Sequence, residues 1–359
     1  MSLYQVLRHL NGNDMSIKNH ILLFLIIGSA LLFGCSGNNN QEFPSSIKVD
    51  CGDTKEIILT EENSEVFNLG VLDNIIDVLF YKGLLLTRSR NQVSAFDVNS
   101  GELVYRCSNR GRREDEFTSI IDAWIRDRTL YIYDFNSSKI LCYDVTSGNY
   151  TGNTLVETPD KFSLMRWDTE NERYVGVRTF TQSPVPDLAV YDSSFNFKHY
   201  LDTPIKKSGI MVSPPLKVSE SDGILYHRPF ERTVFRIKDA ALYETYLIDF
   251  GANQIPESLI EEQDLYDVIL HWTDNQDKFA AFSMDFSESD ASFFFTYRFS
   301  DHVFLASYNK KNKKTEVYHF DKGGDSPSAK IYYHSNYIFV FTQIEDNTLM
   351  YKIPVERLG

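Results

Sequence analysis

The stretch Ala95–Val104, AFDVNSGELV, returns forty-seven residues later as CYDVTSGNYT, Cys142–Thr151. An aromatic, Asp-Val, one variable residue and Ser-Gly recur in the same order, and the likeness extends upstream. The first copy opens with IIDVLFYKGLLLTR from Ile75 and the second with IIDAWIRDRTLYIYD from Ile120. Each copy reads as short apolar runs rich in Val, Ile, Leu, Tyr and Phe, broken by Gly, Asn, Asp and Ser, which is the pattern of strands joined by tight turns. The pieces VNSG and VTSG supply the residues that a hairpin turn requires. Weaker copies follow at Leu188–Asp192, Val234–Ile237, Leu305–Asn309 and Leu349–Lys352, so the aromatic marker falls at 96, 143, 191, 235, 308 and 351, with spacings of 47, 48, 44, 73 and 43.

Six units of 40–50 residues, each holding enough short runs for four strands, predict an all-β fold: a six-bladed β-propeller of four-stranded antiparallel blades. A β-sandwich also has many short strands but need not repeat a phrase at fixed spacing. Helical repeats would place apolar residues at i, i+3 and i+4, whereas alternation and β-branched runs dominate here. The 73-residue interval predicts an insertion in the fifth blade. Within it, PESLIEEQDLYDVILHW, Pro256–Trp272, places Leu259, Ile260, Leu265, Val268 and Ile269 near helical spacing behind a proline and an acidic first turn, so a short helix against the propeller is expected, with a plain loop as the alternative. A ring must also close. The last unit ends at Tyr351-Lys352-Ile353-Pro354 without a fourth strand, and Glu56–Thr60 (EIILT) is expected to supply it from the N-terminal side.

The bulk numbers suit a large core. Of 359 residues, 42% are hydrophobic and 14% aromatic, too apolar for general disorder. The net charge of −14 argues against a nucleic-acid partner held through its phosphates.

The first fifty residues differ in kind. Ile21–Phe33, ILLFLIIGSALLF, follows Lys18 and is too short to span a bilayer comfortably, but fits the apolar part of a signal peptide. Leu32-Phe33-Gly34-Cys35 resembles a bacterial lipobox, although Phe33 stands where a smaller residue is common. On this reading residues 1–34 are the signal peptide, with Met15 the expected true start; Cys35 is lipidated; residues 35–48 form a polar tether (SGNNNQ follows Cys35); and residues 49–359 form the propeller. Lipidating Cys35 leaves Cys51, Cys107 and Cys142, which allow at most one disulfide, and no CxxC or Cys/His cluster points to structural zinc.

Between the first two units lies NRGRREDEFTSIID, Asn109–Asp122. Its Gly111-Arg112 and Glu116-Phe117 resemble the inter-blade phrase of NHL-type repeats and, more closely, of the TolB-like six-bladed propeller lipoproteins of Bacteroidetes. The resemblance covers roughly Ser45 to Gly359, with Arg-Glu-Asp standing where the family often has Gly-x-Gly-Pro. It implies the same fold and an envelope lipoprotein, and says little about chemistry.

Candidate functional residues follow from chemistry and place in the repeat. Arg110, Arg112 and Arg113 are the densest basic cluster; they are candidates to hold a carboxylate or phosphate, against the preferred reading of pairing with Glu114, Asp115 and Glu116. Asp77 and Asp122 share the repeated Ile-Ile-Asp and would meet at the channel if that strand is innermost, where they are candidates for a divalent cation such as calcium or for a repeated structural hydrogen bond. His227 and Arg228 follow a strand and are candidates for a loop-face site, His227 as a general base or an ordinary surface histidine. Trp124 and Trp167, at unit starts, are candidates for a sugar-stacking platform, with core packing preferred. No G-x-S-x-G, P-loop, H-E-x-x-H or G-x-G-x-x-G is present, which removes any positive argument for an enzyme. The expectation is a lipid-anchored envelope protein, at the periplasmic face or the outer-membrane surface, whose propeller binds a protein, peptide or glycan. The alternative is a metal-dependent hydrolase, lactonase or lyase using the channel.

Overall fold

A computed structural model describes residues 44–156, 162–178, 188–201, 216–220, 222–228, 230–239, 241–262, 265–321 and 330–358. The signal segment, Cys35 and the start of the tether lie outside the described residues. The described strands form six sheets, antiparallel within each blade. The first blade holds β4 (Asp77–Tyr81), β5 (Leu84–Arg88), β6 (Val93–Asp97) and β7 (Leu103–Cys107); the second β8 (Ile120–Arg126), β9 (Thr129–Asp134), β10 (Lys139–Asp144) and β11 (Tyr150–Leu155). The third holds β12 (Phe162–Asp168), β13 (Arg173–Arg178), β14 (Leu188–Tyr191) and β15 (Phe197–Tyr200); the fourth β16 (Leu216–Val218), β17 (Ile224–His227), β18 (Thr233–Lys238) and β19 (Ala241–Asp249). The fifth holds β20 (Ala281–Glu288), β21 (Ser292–Phe299), β22 (His302–Asn309) and β23 (Lys314–Asp321), and the sixth β24 (Lys330–His334), β25 (Tyr337–Ile344) and β26 (Asn347–Pro354). All six aromatic markers fall on the third strand of their blade.

The blades form a ring because each sheet buries both faces. Along β25, Ile338 and Val340 pack with the fifth blade, while Phe339 and Phe341 pack with the first. Along β14, Ala189 and Tyr191 face the second blade and Leu188 and Val190 the fourth. With a period of two and a neighbour on either side, these strands read as continuous apolar runs instead of alternating ones. The remaining blade pairs have their own shared cores, so six interfaces close the circle.

Closure uses the N-terminal segment, by a different strand from the one expected. β3 (Glu65–Asn68) pairs antiparallel with β26 and completes the sixth blade. The expected segment Glu56–Thr60 instead contributes β2 (Lys55–Ile58), which adds to β23 in parallel as a fifth strand of the fifth blade. Ile57 packs there with the core shared by blades five and six, the same core that Val66 of β3 reaches from the sixth blade. Upstream, β1 (Ser45–Lys48) does the same for the fourth blade, parallel to β19, with Ile47 fully buried. The N-terminal segment thus visits blades four, five and six in turn before the first blade begins.

The repeated phrase is the turn from third to fourth strand. Asp97 accepts hydrogen bonds from the backbone N–H groups of Asn99 (2.8 Å) and Ser100 (2.9 Å); Asp144 does so from Thr146 and Ser147 (3.0 Å each). Gly101 and Gly148 then take φ of +70° and +69°. At both glycines a Cβ would strike an aromatic side chain: at Gly101 it would lie 2.9 Å from the Phe67 ring, and at Gly148 2.4 Å from the Tyr105 ring. Phe67 and Tyr105 lie on the outermost strand of the preceding blade, so the phrase fits a left-handed turn onto the neighbouring blade.

The insertion forms two short helices, α1 (Glu257–Glu262) and α2 (Leu265–Thr273), between the fourth and fifth blades. Ile260, Val268, Ile269 and Trp272 pack with Phe230 and Ala281 of the propeller. Trp272 Nε1 donates to the carbonyl of Phe279 (3.0 Å). No described helix is long and apolar enough to cross a membrane.

Candidate functional site: a closed axial cavity

The first strands of the blades lie side by side around the axis. Five of these six strands each bring a charged residue to one belt: Asp77, Asp122, Arg166, Lys217 and Asp285, from blades one to five. Arg166 Nη2 lies 3.2 Å from Asp77 Oδ2, and its Nη1 lies 3.0 Å from Asp122 Oδ2. Lys217 Nζ lies 2.9 Å from Asp77 Oδ1 and 2.9 Å from Asp285 Oδ1. Asp122 also accepts from the Met165 backbone N–H (2.7 Å), and Arg88 from β5 donates to the Ile121 carbonyl (2.9 Å). Asp77 and Asp122 are fully buried and Arg166 is 5% exposed, so the belt blocks the axis.

The charges set one another. Burial alone would raise the Asp77 carboxyl, but Lys217, Arg166 and Arg88 outweigh it and hold the group at about 2. Burial raises Asp122, with Arg166 and Arg88 offsetting only part, so Asp122 takes a proton more readily than an ordinary carboxylate. Lys217 is desolvated, yet Asp285 and Asp77 hold its ammonium above the usual lysine value. On the sixth blade, burial of Lys330 lowers its pKa.

Above the belt a cavity of about 500 Å³ opens toward the hairpins that join first and second strands. Its lower wall includes Trp124, Phe286, Phe295 and Tyr332. At the mouth the Arg126 guanidinium lies 3.5 Å above the Trp167 ring, and Phe80 stacks on His334 with centroids 4.3 Å apart. Arg126 Nε is 3.6 Å from Asp127 Oδ2, and His334 Nδ1 is 3.1 Å from Glu220 Oε1.

The residues singled out by sequence therefore distribute over two ends. Asp77 and Asp122 do meet on the axis, joined through Arg166. Trp124 and Trp167 line the cavity; Trp124 is 2% exposed and stacks on Tyr131 at 5.4 Å. Arg110, Arg112 and Arg113 lie on the loop from β7 to β8, at the opposite end. There Glu116 accepts from the Arg113 backbone N–H (2.8 Å), and its carboxylate lies 3.8 Å from Arg113 Nε. Lys139 clamps the same loop through the carbonyls of Arg113, Glu114 and Glu116. His227 is 3% exposed, its Nε2 2.9 Å from the Glu231 carbonyl, and burial pushes its pKa down to about 4. Arg228 Nε donates to Tyr226 Oη (3.0 Å). Cys51, Cys107 and Cys142 are free thiols.

Sequence reasoning missed Arg166, Lys217, Asp285, Arg126 and His334. Arg166, Lys217 and Asp285 had a usable signal: Lys217 is the one charge of LKV, and Arg166 and Asp285 each interrupt a run of apolar and small residues ahead of an acid at the strand end, in FSLMRWD and AFSMDFSE. Among the described residues no group of three or more His, Cys, Asp or Glu side chains converges as a metal site.

Residues 38–357 match the family described as "Domain of unknown function (DUF4934)". The chain belongs to the DUF4934 family. No functionally curated protein matches it in sequence. The DUF4934 propeller is similar in fold to a solved Bacteroides fragilis NCTC 9343 structure described as a "Putative exported protein", with a TM-score of 0.66 and 16% identity over 87% of this chain and 99% of that one. BamB from Moraxella catarrhalis matches with a TM-score of 0.44 and 9% identity, covering 81% of this chain and 99% of that one. The Cps50 (Swd1) propeller domain of Myceliophteria thermophila gives 0.45 and 12%, covering 80% and 100%. At these identities the likeness is one of fold.

Proposed function

We propose that this DUF4934 chain is a binding module of the cell envelope: a lipoprotein tethered through Cys35 whose propeller holds a protein, peptide or glycan ligand in the axial cavity. The observation that carries this reading is the cavity itself. It is concave and walled by aromatic rings, and it stops at a belt of side chains neutralised by one another, the construction of a ligand pocket and not of a passage. Asp77 and Asp122, the candidates for a cation, already hold Arg166 between them. The apolar segment before Gly34-Cys35 supports the tether, and the exported description of the Bacteroides fragilis neighbour agrees with it.

Hydrogen–deuterium exchange on the full chain tests the pocket, with and without a digest of envelope glycans and peptides. Slower exchange is expected in 124–127, 166–169, 217–220 and 332–334. Protection confined to 109–117 or 227–232, or none, overturns the cavity as the site. For the tether, mass spectrometry of the mature protein should find Cys35 acylated and N-terminal, and Cys35→Ser should release the protein from the membrane fraction.

A further inference from the structure

Two histidines stand side by side on the fifth blade, away from the cavity. His302 opens β22 and His319 lies on the neighbouring β23, with ring centroids 4.8 Å apart and ring planes at 72°. His302 is exposed and His319 partly exposed, and neither imidazole has a hydrogen-bond partner among the described residues. Two imidazoles sharing one zinc-class ion, at Zn–N bonds of about 2.0–2.1 Å and a tetrahedral angle, carry their centroids about 5 Å apart. This pair already has that spacing.

The strand register decides what else faces them. Phe304 pairs with His319, so His302, two residues before Phe304, shares that face of the sheet with His319 and Asp321. In the parallel ladder of β2 with β23, Glu56 is the partner of His319 and lies on the same face. Glu56 is exposed and makes no hydrogen bond or ion pair among the described residues. As the side chains stand, only the two imidazoles converge; Glu56 is the free carboxylate within reach of joining them. Burial and the neighbouring His302 hold the His319 imidazole below its ordinary pKa, so at neutral pH its nitrogen lone pair is available to a metal.

We propose that His302 and His319, with Glu56 as a third ligand, bind a divalent ion of the zinc class. Imidazole nitrogens suit Zn²⁺, Ni²⁺ or Cu²⁺, whereas Mg²⁺ and Ca²⁺ take oxygen ligands. Because Glu56 belongs to the N-terminal segment and both histidines to the blade, the ion pins β2 onto the fifth blade.

Calorimetric titration of the full chain with Zn²⁺, Mg²⁺ and Ca²⁺ in separate runs tests this, with thermal unfolding alongside. Zn²⁺ should bind saturably where Mg²⁺ and Ca²⁺ do not, and should raise the melting temperature. His302→Gln and His319→Gln should each abolish that binding, and Glu56→Gln should weaken it. His199→Gln, at an exposed histidine of the third blade, should leave it unchanged. Melting temperatures without metal show that the variants fold. No saturable Zn²⁺ binding, binding that survives either histidine substitution, or binding of Mg²⁺ or Ca²⁺ at these residues overturns the site. Binding lost with the histidines but indifferent to Glu56→Gln overturns Glu56 as a ligand, and with it the pinning of β2.

Discussion

Arg166 is the residue on which most depends, because its guanidinium hydrogen-bonds both fully buried carboxylates of the axis. Arg166→Leu leaves Asp77 and Asp122 in a dry interior without their shared cation. Removing one partner of such a buried group costs about 3–5 kcal/mol, so the variant should unfold at markedly lower denaturant, and adding Asp122→Asn should recover part of the loss. Acid acts at other residues. Buried His227 resists protonation until about pH 4, whereas in the unfolded chain it titrates near 6.5, so its contribution is complete above 6.5 and is lost as pH falls toward 4. Glu288 is 1% exposed and held by Lys310, Arg236, Ser219 and Tyr246; despite its burial these partners keep its carboxyl at about 2 against an ordinary 4.5, so its contribution is present above 4.5 and fades toward 2. Stability should therefore begin to fall below pH 6.5 and more steeply below 4.5, and His227→Gln should shrink the loss between pH 6.5 and 4.5, as chemical denaturation at stepped pH will show.

Among elements, the third-to-fourth turn is the one the sequence announces most clearly, and its physics explains why. Asp97 and Asp144 must accept from the turn's backbone, and Gly101 and Gly148 must lie flat on the preceding blade's aromatic ring, so these residue types survive in both copies. In the fifth blade Asn309 takes the aspartate's part, accepting from Lys311 and Asn312, and Lys313 stands at φ +60°. Gly148→Ala should cost about 1–3 kcal/mol through backbone strain and the Tyr105 ring, whereas Lys313→Gly should leave the melting temperature unchanged or raise it. Other elements were legible only in part. The branched residues of Glu56–Thr60 mark it as extended chain, whereas Glu65–Asn68 is short and half polar and carries little strand signal; which edge each reaches is a matter of three-dimensional packing, and β2's parallel pairing leaves no local trace. The belt was half visible for a similar reason. Asp77 and Asp122 share a phrase, but Arg166, Lys217 and Asp285 sit in strands with unrelated text, so their convergence follows only once the ring is built.

At the scale of the whole molecule, the six blade interfaces make the propeller one cooperative unit, and the N-terminal strands differ in what they contribute to it. β1 and β2 cover edges of blades that are already four strands wide; β3 is the fourth strand of its blade. Removing residues 1–54, or 1–62, should lower the melting temperature while keeping a single calorimetric transition. Removing residues 1–70 should open the ring, broaden the transition and expose β26 to association with other chains.

The pairing of β3 with β26 also fixes an order of events. Leu349 and Lys352 meet Asn68 and Glu65, so a strand made early in synthesis must wait for one made almost last. Blades one to five can each zip up from neighbouring segments while the chain is still growing, but the circle has no route to completion until its final residues are available. Whichever blades have formed by then, the ring locks only once β26 has been made and can meet β3.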